Sequence, residues 1–133
     1  MVILVIDGQG GGVGRSLIEA IGKKYTDAEI VAVGTNAMAT SNMMKGGSVA
    51  GATGENAVVY NSAMADVIVG PVGIIMANAM LGEITPRMAE AVSTSRARLI
   101  LIPMNRCHAV VVGVQSRKLS DYIEEVVELI GRG

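Results

Sequence analysis

The chain has 133 residues, of which 50% are hydrophobic and 17% charged, and its 11 basic and 12 acidic side chains give a formal net charge of −1. This length predicts one domain spanning residues 1–133. A near-neutral chain lacks the basic field that general nucleic-acid binding requires, which argues against that class of function. A single cysteine, Cys107, cannot form an internal disulfide, and this composition is typical of a cytoplasmic protein.

Apolar side chains are abundant, but aromatic ones are scarce. There is no Phe and no Trp, so Ile, Val, Leu, Ala and nine Met must fill the core. This much apolar surface on a small domain predicts a subunit interface, and we expect a homo-oligomer. The apolar run at 1–6 lacks the basic leader of a signal peptide. The uncharged stretch 67–82 falls short of the ~20 apolar residues of a spanning helix, so no membrane association is predicted.

Hydrophobic periodicity predicts alternating strands and helices along the chain. In chain order the predicted elements are a strand at 2–6, a helix at 13–24, a strand at 29–34, a Met-rich helix capped by Thr35 or Asn36 and ending at 45–47, a glycine-rich loop at 46–56 or a loop around a short strand at 57–60, a strand at 66–70, helices at 74–81 and 86–95, strands at 99–102 and 110–114, and a helix at 119–130. Thr85 and Pro86 are typical of a helix start. This order predicts a single three-layer α/β domain, Rossmann-like, with a mostly parallel sheet.

The segment from residue 7 to residue 16, Asp-Gly-Gln-Gly-Gly-Gly-Val-Gly-Arg-Ser, lies between a predicted buried strand and a predicted helix. Glycine lets the backbone approach a ligand closely, and the free N–H groups at a helix start favour an anion such as a phosphate. The sequence therefore predicts a nucleotide- or phosphate-binding loop. The alternative is a tight turn in which glycine only satisfies a positive φ. The candidate binding residues of the loop are Gly8, Gln9, Gly10, Gly11, Gly12, Val13, Gly14, Arg15 and Ser16.

The glycine spacing bears on the identity of the nucleotide. Gly8, Gly12 and Gly14 fit the pattern G-x-x-x-G-x-G and resemble the loop of short-chain dehydrogenases, so NAD(P) or another nucleotide is the candidate cofactor. The Tyr-x-x-x-Lys pair of those enzymes is missing, and no acidic residue stands at the end of the second strand to hold a ribose, so dehydrogenase chemistry is not predicted. Residues 10–16 also resemble the phosphate loop of partitioning-type ATPases, but Arg15 replaces the phosphate-binding lysine.

Five further segments are distinctive: Val-Ile-Asp-Gly-Gln-Gly-Gly-Gly (5–12), Gly-Ala-Thr-Gly-Glu-Asn-Ala (51–57), Gly-Pro-Val-Gly (70–73), Gly-Glu-Ile-Thr-Pro (82–86) and Ile-Pro-Met-Asn-Arg-Cys (102–107). Together they resemble a small bacterial family of uncharacterised proteins of this length, and the resemblance extends over nearly the full chain. The resemblance implies a Rossmann-like fold. It implies no activity, because that family has no established one.

Ligands of parallel sheets bind beyond the carboxyl ends of the strands. The residues predicted there, besides the glycine loop, include Thr35, Asn36, Asn105 and Arg106. An amide can recognise a base edge or a ribose hydroxyl, and an arginine can bind a phosphate. The alternative role for the asparagines is helix capping. The glycine-rich segment 51–56 is either a lid or a connector.

Few side chains are candidates for catalysis. Asp7 and Glu83 are the carboxylates expected nearest the loop, and the candidate catalytic residues are Asp7 and Cys107. Cys107 is alternatively a small buried filler. No metal site is predicted, because one Cys and one His at adjacent positions supply too few ligands.

These observations favour a small module that binds a nucleotide or another phosphorylated metabolite at residues 8–16, as a sensor or as a subunit of an assembly. An enzyme acting on such a compound is the second hypothesis. The third is an oligomeric structural protein whose glycine loop is only a turn.

Overall fold

The computed structural model describes residues 1–48, 50–104 and 109–133. Its strands are β1 (Val2–Asp7), β2 (Glu29–Gly34), β3 (Ala50–Thr53), β4 (Val67–Pro71) and β5 (Arg98–Ile102). Its helices are α1 (Gly12–Lys24), α2 (Ala37–Met44), α3 (Glu55–Met64), α4 (Pro86–Ser93) and α5 (Leu119–Gly131). A single 3₁₀ turn, Val72–Ile75, follows β4.

The five strands form one parallel sheet in the order β3-β2-β1-β4-β5. Side chains of β1 alternate between its faces: Ile3 and Val5 pack with α1, α2 and α5, whereas Leu4 and Ile6 pack with α3 and α4. Helices therefore cover both faces of the sheet, which explains the continuous apolar character of β1. The predicted three-layer α/β, Rossmann-like fold is confirmed.

The topology also indicates where a ligand would bind. The chain adds β2 and β3 on one side of β1 and then crosses over to place β4 on the other side. Ligands of open parallel sheets bind at such a reversal, outside the carboxyl ends of the strands. The carboxyl end of β1 is Asp7, and the glycine-rich loop follows directly.

Two helix starts were predicted correctly. Asn36 is the N-cap of α2, because its Oδ1 accepts a hydrogen bond from the Ala39 N–H at 2.8 Å. Thr85 is the N-cap of α4, with Pro86 at the first helical position and the Met88 N–H 3.1 Å from Thr85 Oγ1.

The prediction for residues 46–60 was wrong in part. A helix, α3, occupies the position of the predicted strand at 57–60, and it buries Val58 and Ser62, which lie one helical turn apart. The strand of this region is β3, which lies inside the stretch predicted as a loop. It pairs in parallel with β2. Its sequence, Ala-Gly-Ala-Thr, carries little hydrophobic signal, because this strand lies at the edge of the sheet.

The predicted helix at 74–81 and the predicted strand at 110–114 are also wrong. After the 3₁₀ turn the backbone takes positive φ values at Asn78, Met80 and Leu81, which end any helix. A compact loop instead buries Ala79 and Met80 in the core and leaves Leu81 exposed. Residues 110–114 form no ladder with the described part of the sheet, and Val112 is 97% exposed.

Across the described residues, no helix combines the length and apolar character needed to cross a membrane.

Candidate functional site

The glycine loop is fastened by Asp7, the last residue of β1. The Asp7 side chain is buried, with Oδ1 accepting the Gly8 N–H at 2.8 Å and Oδ2 accepting the Gly14 N–H at 2.7 Å. Gly14 is the third residue of α1, so Asp7 supplies the capping acceptor that Gly11, the N-cap residue, lacks. These contacts give Asp7 a structural role at the junction of strand and helix.

Burial raises the pKa of Asp7, and the nearby charge of Glu83 raises it further. The hydrogen bonds from Gly14 and Gly8 oppose this shift but do not cancel it. Both oxygens of Asp7 are already engaged by backbone N–H groups. The catalytic role of Asp7 stays a prediction.

Three of the five loop glycines are required by the fold. A Cβ on Gly11 would lie 2.6 Å from the Ala39 carbonyl oxygen, and Gly11 is the loop glycine with a positive φ, +74°. A Cβ on Gly14 would lie 2.9 Å from Asp7 Cβ. On Gly8 it would lie 2.6 Å from Met80 Sδ. Packing of the chain against itself therefore explains these three glycines.

Gly10 and Gly12 are different. Apart from adjacent residues and the backbone of its own helix, a Cβ built on either meets no described atom within 4 Å, and neither residue has a positive φ. Both residues are exposed, and the first turn of α1 carries no acidic side chain. Among the described residues, no acceptor is found for the N–H groups of Gly10, Gly12 and Val13. The loop thus presents uncompensated N–H donors beside two glycines that the internal packing does not require.

Arg15 and Ser16 point to other parts of the surface. Arg15 Nε donates to Glu19 at 3.1 Å, and its Nη1 donates to Asn42 Oδ1 at 3.0 Å. Asn42, which the sequence analysis missed, also donates to the Gly10 carbonyl at 2.9 Å and so connects α2 to the loop. Ser16 lines a groove of about 640 Å³ between α1 and α5.

Glu83 reaches the loop from the segment after β4. Its Oε1 accepts three hydrogen bonds: from the Gln9 N–H at 2.8 Å, from Thr35 Oγ1 at 2.5 Å and from Asn36 Nδ2 at 2.9 Å. Thr35 and Asn36 were predicted to touch a ligand, and in the structure their donors hold this carboxylate. The carboxylate that the end of β2 lacks in sequence is thus supplied by a residue 48 positions beyond Thr35.

The hydrogen bonds keep Glu83 ionised. Partial desolvation disfavours the charge, but the bonds from Thr35, Gln9 and Asn36 together outweigh it, and the pKa of Glu83 lies below its ordinary value. No donor within the described residues contacts the second oxygen, Oε2. Glu83 therefore presents a charged acceptor at the rim of the loop.

The backbone around Glu83 is strained. Asn78, Met80 and Leu81 have φ values of +66°, +58° and +57°, and Gly82 follows at +90°. Non-glycine residues at such angles cost free energy and persist only where surrounding contacts impose them. Gln9, on the facing loop, is a further case with φ +50°. Strained residues thus stand on both sides of the contact between Gln9 and Glu83.

The remaining predicted site residues, Asn105, Arg106 and Cys107, lie outside the described residues, as does His108. The segment 51–56, predicted as a lid or a connector, forms the end of β3 and the start of α3.

The fold and the loop define an α/β protein with a glycine-rich connection from its first strand to its first helix. The chain belongs to the family described as "Domain of unknown function (DUF3842)", whose model matches residues 2–132. No curated protein matches it. A solved structure that matches the chain is titled "Crystal structure of universal stress protein in complex with cAMP", with 18% sequence identity over 74% of this chain and 94% of that chain, at a TM-score of 0.41. None of these comparisons links the chain to short-chain dehydrogenases.

Proposed function

We propose that this protein binds a nucleotide or another phosphorylated small molecule at the loop between β1 and α1. The observation that carries the proposal is the space beside Gly10 and Gly12, where the described chain leaves a Cβ-sized volume unfilled. Glycine is costly at these positions because it increases the entropy lost on folding. Close approach of a ligand to the backbone accounts for two glycines that the fold does not need.

The polar groups of the loop suit a phosphate. Gly12 and Val13 are the first two residues of α1, so their N–H groups lie at the positive end of the helix dipole. Asp7 satisfies the Gly8 and Gly14 N–H groups, and Glu83 satisfies that of Gln9. The donors at Gly10, Gly12 and Val13 stay available for phosphate oxygens.

The test compares Gly12→Ala, Gly12→Val and the control Gly22→Ala by calorimetric titration with inorganic phosphate, AMP and NAD. Gly22 lies in the same helix, and a Cβ there meets only Ile30 Cδ1 at 3.7 Å. We expect Gly12→Ala to weaken binding at least about tenfold, which is about 1.4 kcal/mol. We expect Gly12→Val to abolish binding and Gly22→Ala to leave it unchanged.

Thermal unfolding separates lost binding from lost folding. Because Gly12 has helical geometry and free space, Gly12→Ala should raise the free energy of unfolding by about 0.4–1 kcal/mol. The proposal would be wrong if no phosphate-bearing probe bound to the wild-type protein, or if Gly12→Val bound the probes unchanged.

Mass spectrometry of compounds that co-purify with the protein would identify the natural ligand.

A further inference from the structure

We infer that Glu83 selects, at the site proposed above, ligands that carry free sugar hydroxyls next to the phosphate and rejects those that carry a second phosphate there. This inference rests on the proposed function. It starts from the contact that places a carboxylate at the end of β2, where the sequence has only Thr35 and Asn36.

Hydrogen bonds from the surrounding residues fix the position of the Glu83 side chain. Three donors from two loops converge on Oε1, so this oxygen is saturated and its location is determined by Gln9, Thr35 and Asn36. Thr35 and Asn36 are themselves placed by β2 and by the cap of α2. Glu83 is thus held at the rim while Oε2 is left without a described partner.

The chemistry of Oε2 determines what can lie beside it. An ionised carboxylate oxygen accepts hydrogen bonds and donates none, so it attracts hydroxyl groups. It repels a phosphate, because like charges brought together without a cation are unfavourable. A ligand whose phosphate is bound by the N–H groups of Gly12 and Val13 would therefore present hydroxyls, not a second anion, towards Glu83.

The carboxylate is also separate from the phosphate donors. Glu83 occupies the N–H of Gln9, whereas the N–H groups of Gly10, Gly12 and Val13 have no acceptor in the described chain. A phosphate and Glu83 can therefore be accommodated together. Competition between the two for the same donors is the opposing interpretation, and the experiment must distinguish them.

The first measurement uses the wild-type protein with three probes: AMP, 2′-deoxy-AMP and adenosine 2′,5′-bisphosphate. A hydrogen bond to a charged group contributes enough for roughly 10- to 100-fold selectivity. We expect AMP to bind at least about tenfold more tightly than either analogue. Equal affinity for AMP and its 2′-deoxy and 2′-phosphate analogues would overturn the inference, while binding that still depends on Gly12 would leave the proposed function standing.

The second measurement repeats the three titrations with Glu83→Gln and with the control Glu55→Gln. Glu55 is the first residue of α3, and its hydrogen bond from Thr85 Oγ1 (2.6 Å) and its ion pair with Arg87 (3.9 Å) both lead to the start of α4 and not to the glycine loop. We expect Glu83→Gln to reduce the preference for AMP at least about tenfold and Glu55→Gln to preserve it. If Glu83→Gln instead tightened the binding of inorganic phosphate and all three probes equally, Glu83 would be a competitor of the phosphate, and the inference would be wrong.

Should Glu83→Gln unfold, Thr35→Val provides the same test with the carboxylate retained. It removes one of the three donors that hold Oε1. We expect a smaller loss of the preference for AMP, and full retention of that preference would count against the positioning of Glu83.

Discussion

Asp7 shows how one side chain joins a strand to a helix. Its two oxygens bridge the N–H groups of Gly8 and Gly14, so the carboxylate closes the loop from inside. The same burial that makes these bonds effective raises the pKa of Asp7. The ionised form is thus held at a cost that the two N–H groups offset only in part.

We predict that Asp7→Asn destabilises the protein by about 1–2 kcal/mol at pH 7, because an amide can accept only one of the two N–H groups and directs its own donor at the other. A raised pKa in the folded state means that Asp7 contributes stability below its ordinary pKa and loses it as the pH rises through the folded value. The deficit of the variant should therefore grow as the pH falls from 7 towards 4. Urea unfolding across this pH range measures it.

Asp66→Asn is the control for the change in net charge. Asp66 stands near the other end of β1, where its Oδ2 accepts the Val2 N–H at 2.7 Å. Parallel pH profiles for wild type and Asp7→Asn would show that Asp7 does not take up its proton more readily in the folded state.

At the scale of elements, the segment from residue 76 to residue 84 is a series of turns between the 3₁₀ turn and α4, and it carries Glu83. Ala79, Met80 and Ile84 anchor it in the core, and the Asn78 N–H donates to the Ile84 carbonyl at 2.7 Å. Buried residues on either side of Leu81 therefore hold it in the left-handed conformation. Leu81, at the tip, is 98% exposed, so packing of its side chain does not offset the free-energy cost of its positive φ.

We predict that Leu81→Gly raises the free energy of unfolding by about 0.5–1 kcal/mol, because glycine adopts a positive φ without steric cost. Met38→Gly is the matched control: Met38 is also exposed, at 70%, but lies in α2. There the same change should destabilise by about 0.5–1 kcal/mol. Chemical denaturation of both variants tests the pair, and a loss of stability in Leu81→Gly would show that the strain is not relieved at this position.

At the scale of the molecule, the homo-oligomer remains a prediction. Val110 and Val112 are 87% and 97% exposed, and β5 lies at an edge of the sheet. An apolar run of this kind is unfavourable in water unless a second surface covers it. We expect light scattering to give a multiple of the monomer mass and Val112→Lys to shift it towards the monomer. A monomeric wild-type protein at all concentrations would contradict the prediction.

The strands and helices of the core could be predicted from sequence because their side chains report burial directly. Val2–Asp7 and Gly12–Lys24 have the apolar periods of a two-sided strand and an amphipathic helix. β3 escaped prediction because an edge strand of small residues carries no such period. The prediction of a helix at 74–81 was wrong because apolar residues can be buried by a loop as well as by a helix.

The sequence by itself determined the order of layers and the presence of a glycine-rich turn after the first strand, since both follow from local pattern. It could not separate the glycines at 8, 11 and 14, which neighbouring elements crowd, from those at 10 and 12, which stay open. It named Glu83 as near the loop but not its partners, because Gln9, Thr35 and Asn36 approach it only through the crossover that brings β4 beside β1. Spacing along a chain specifies period and turn, whereas contact between distant segments depends on how the layers pack.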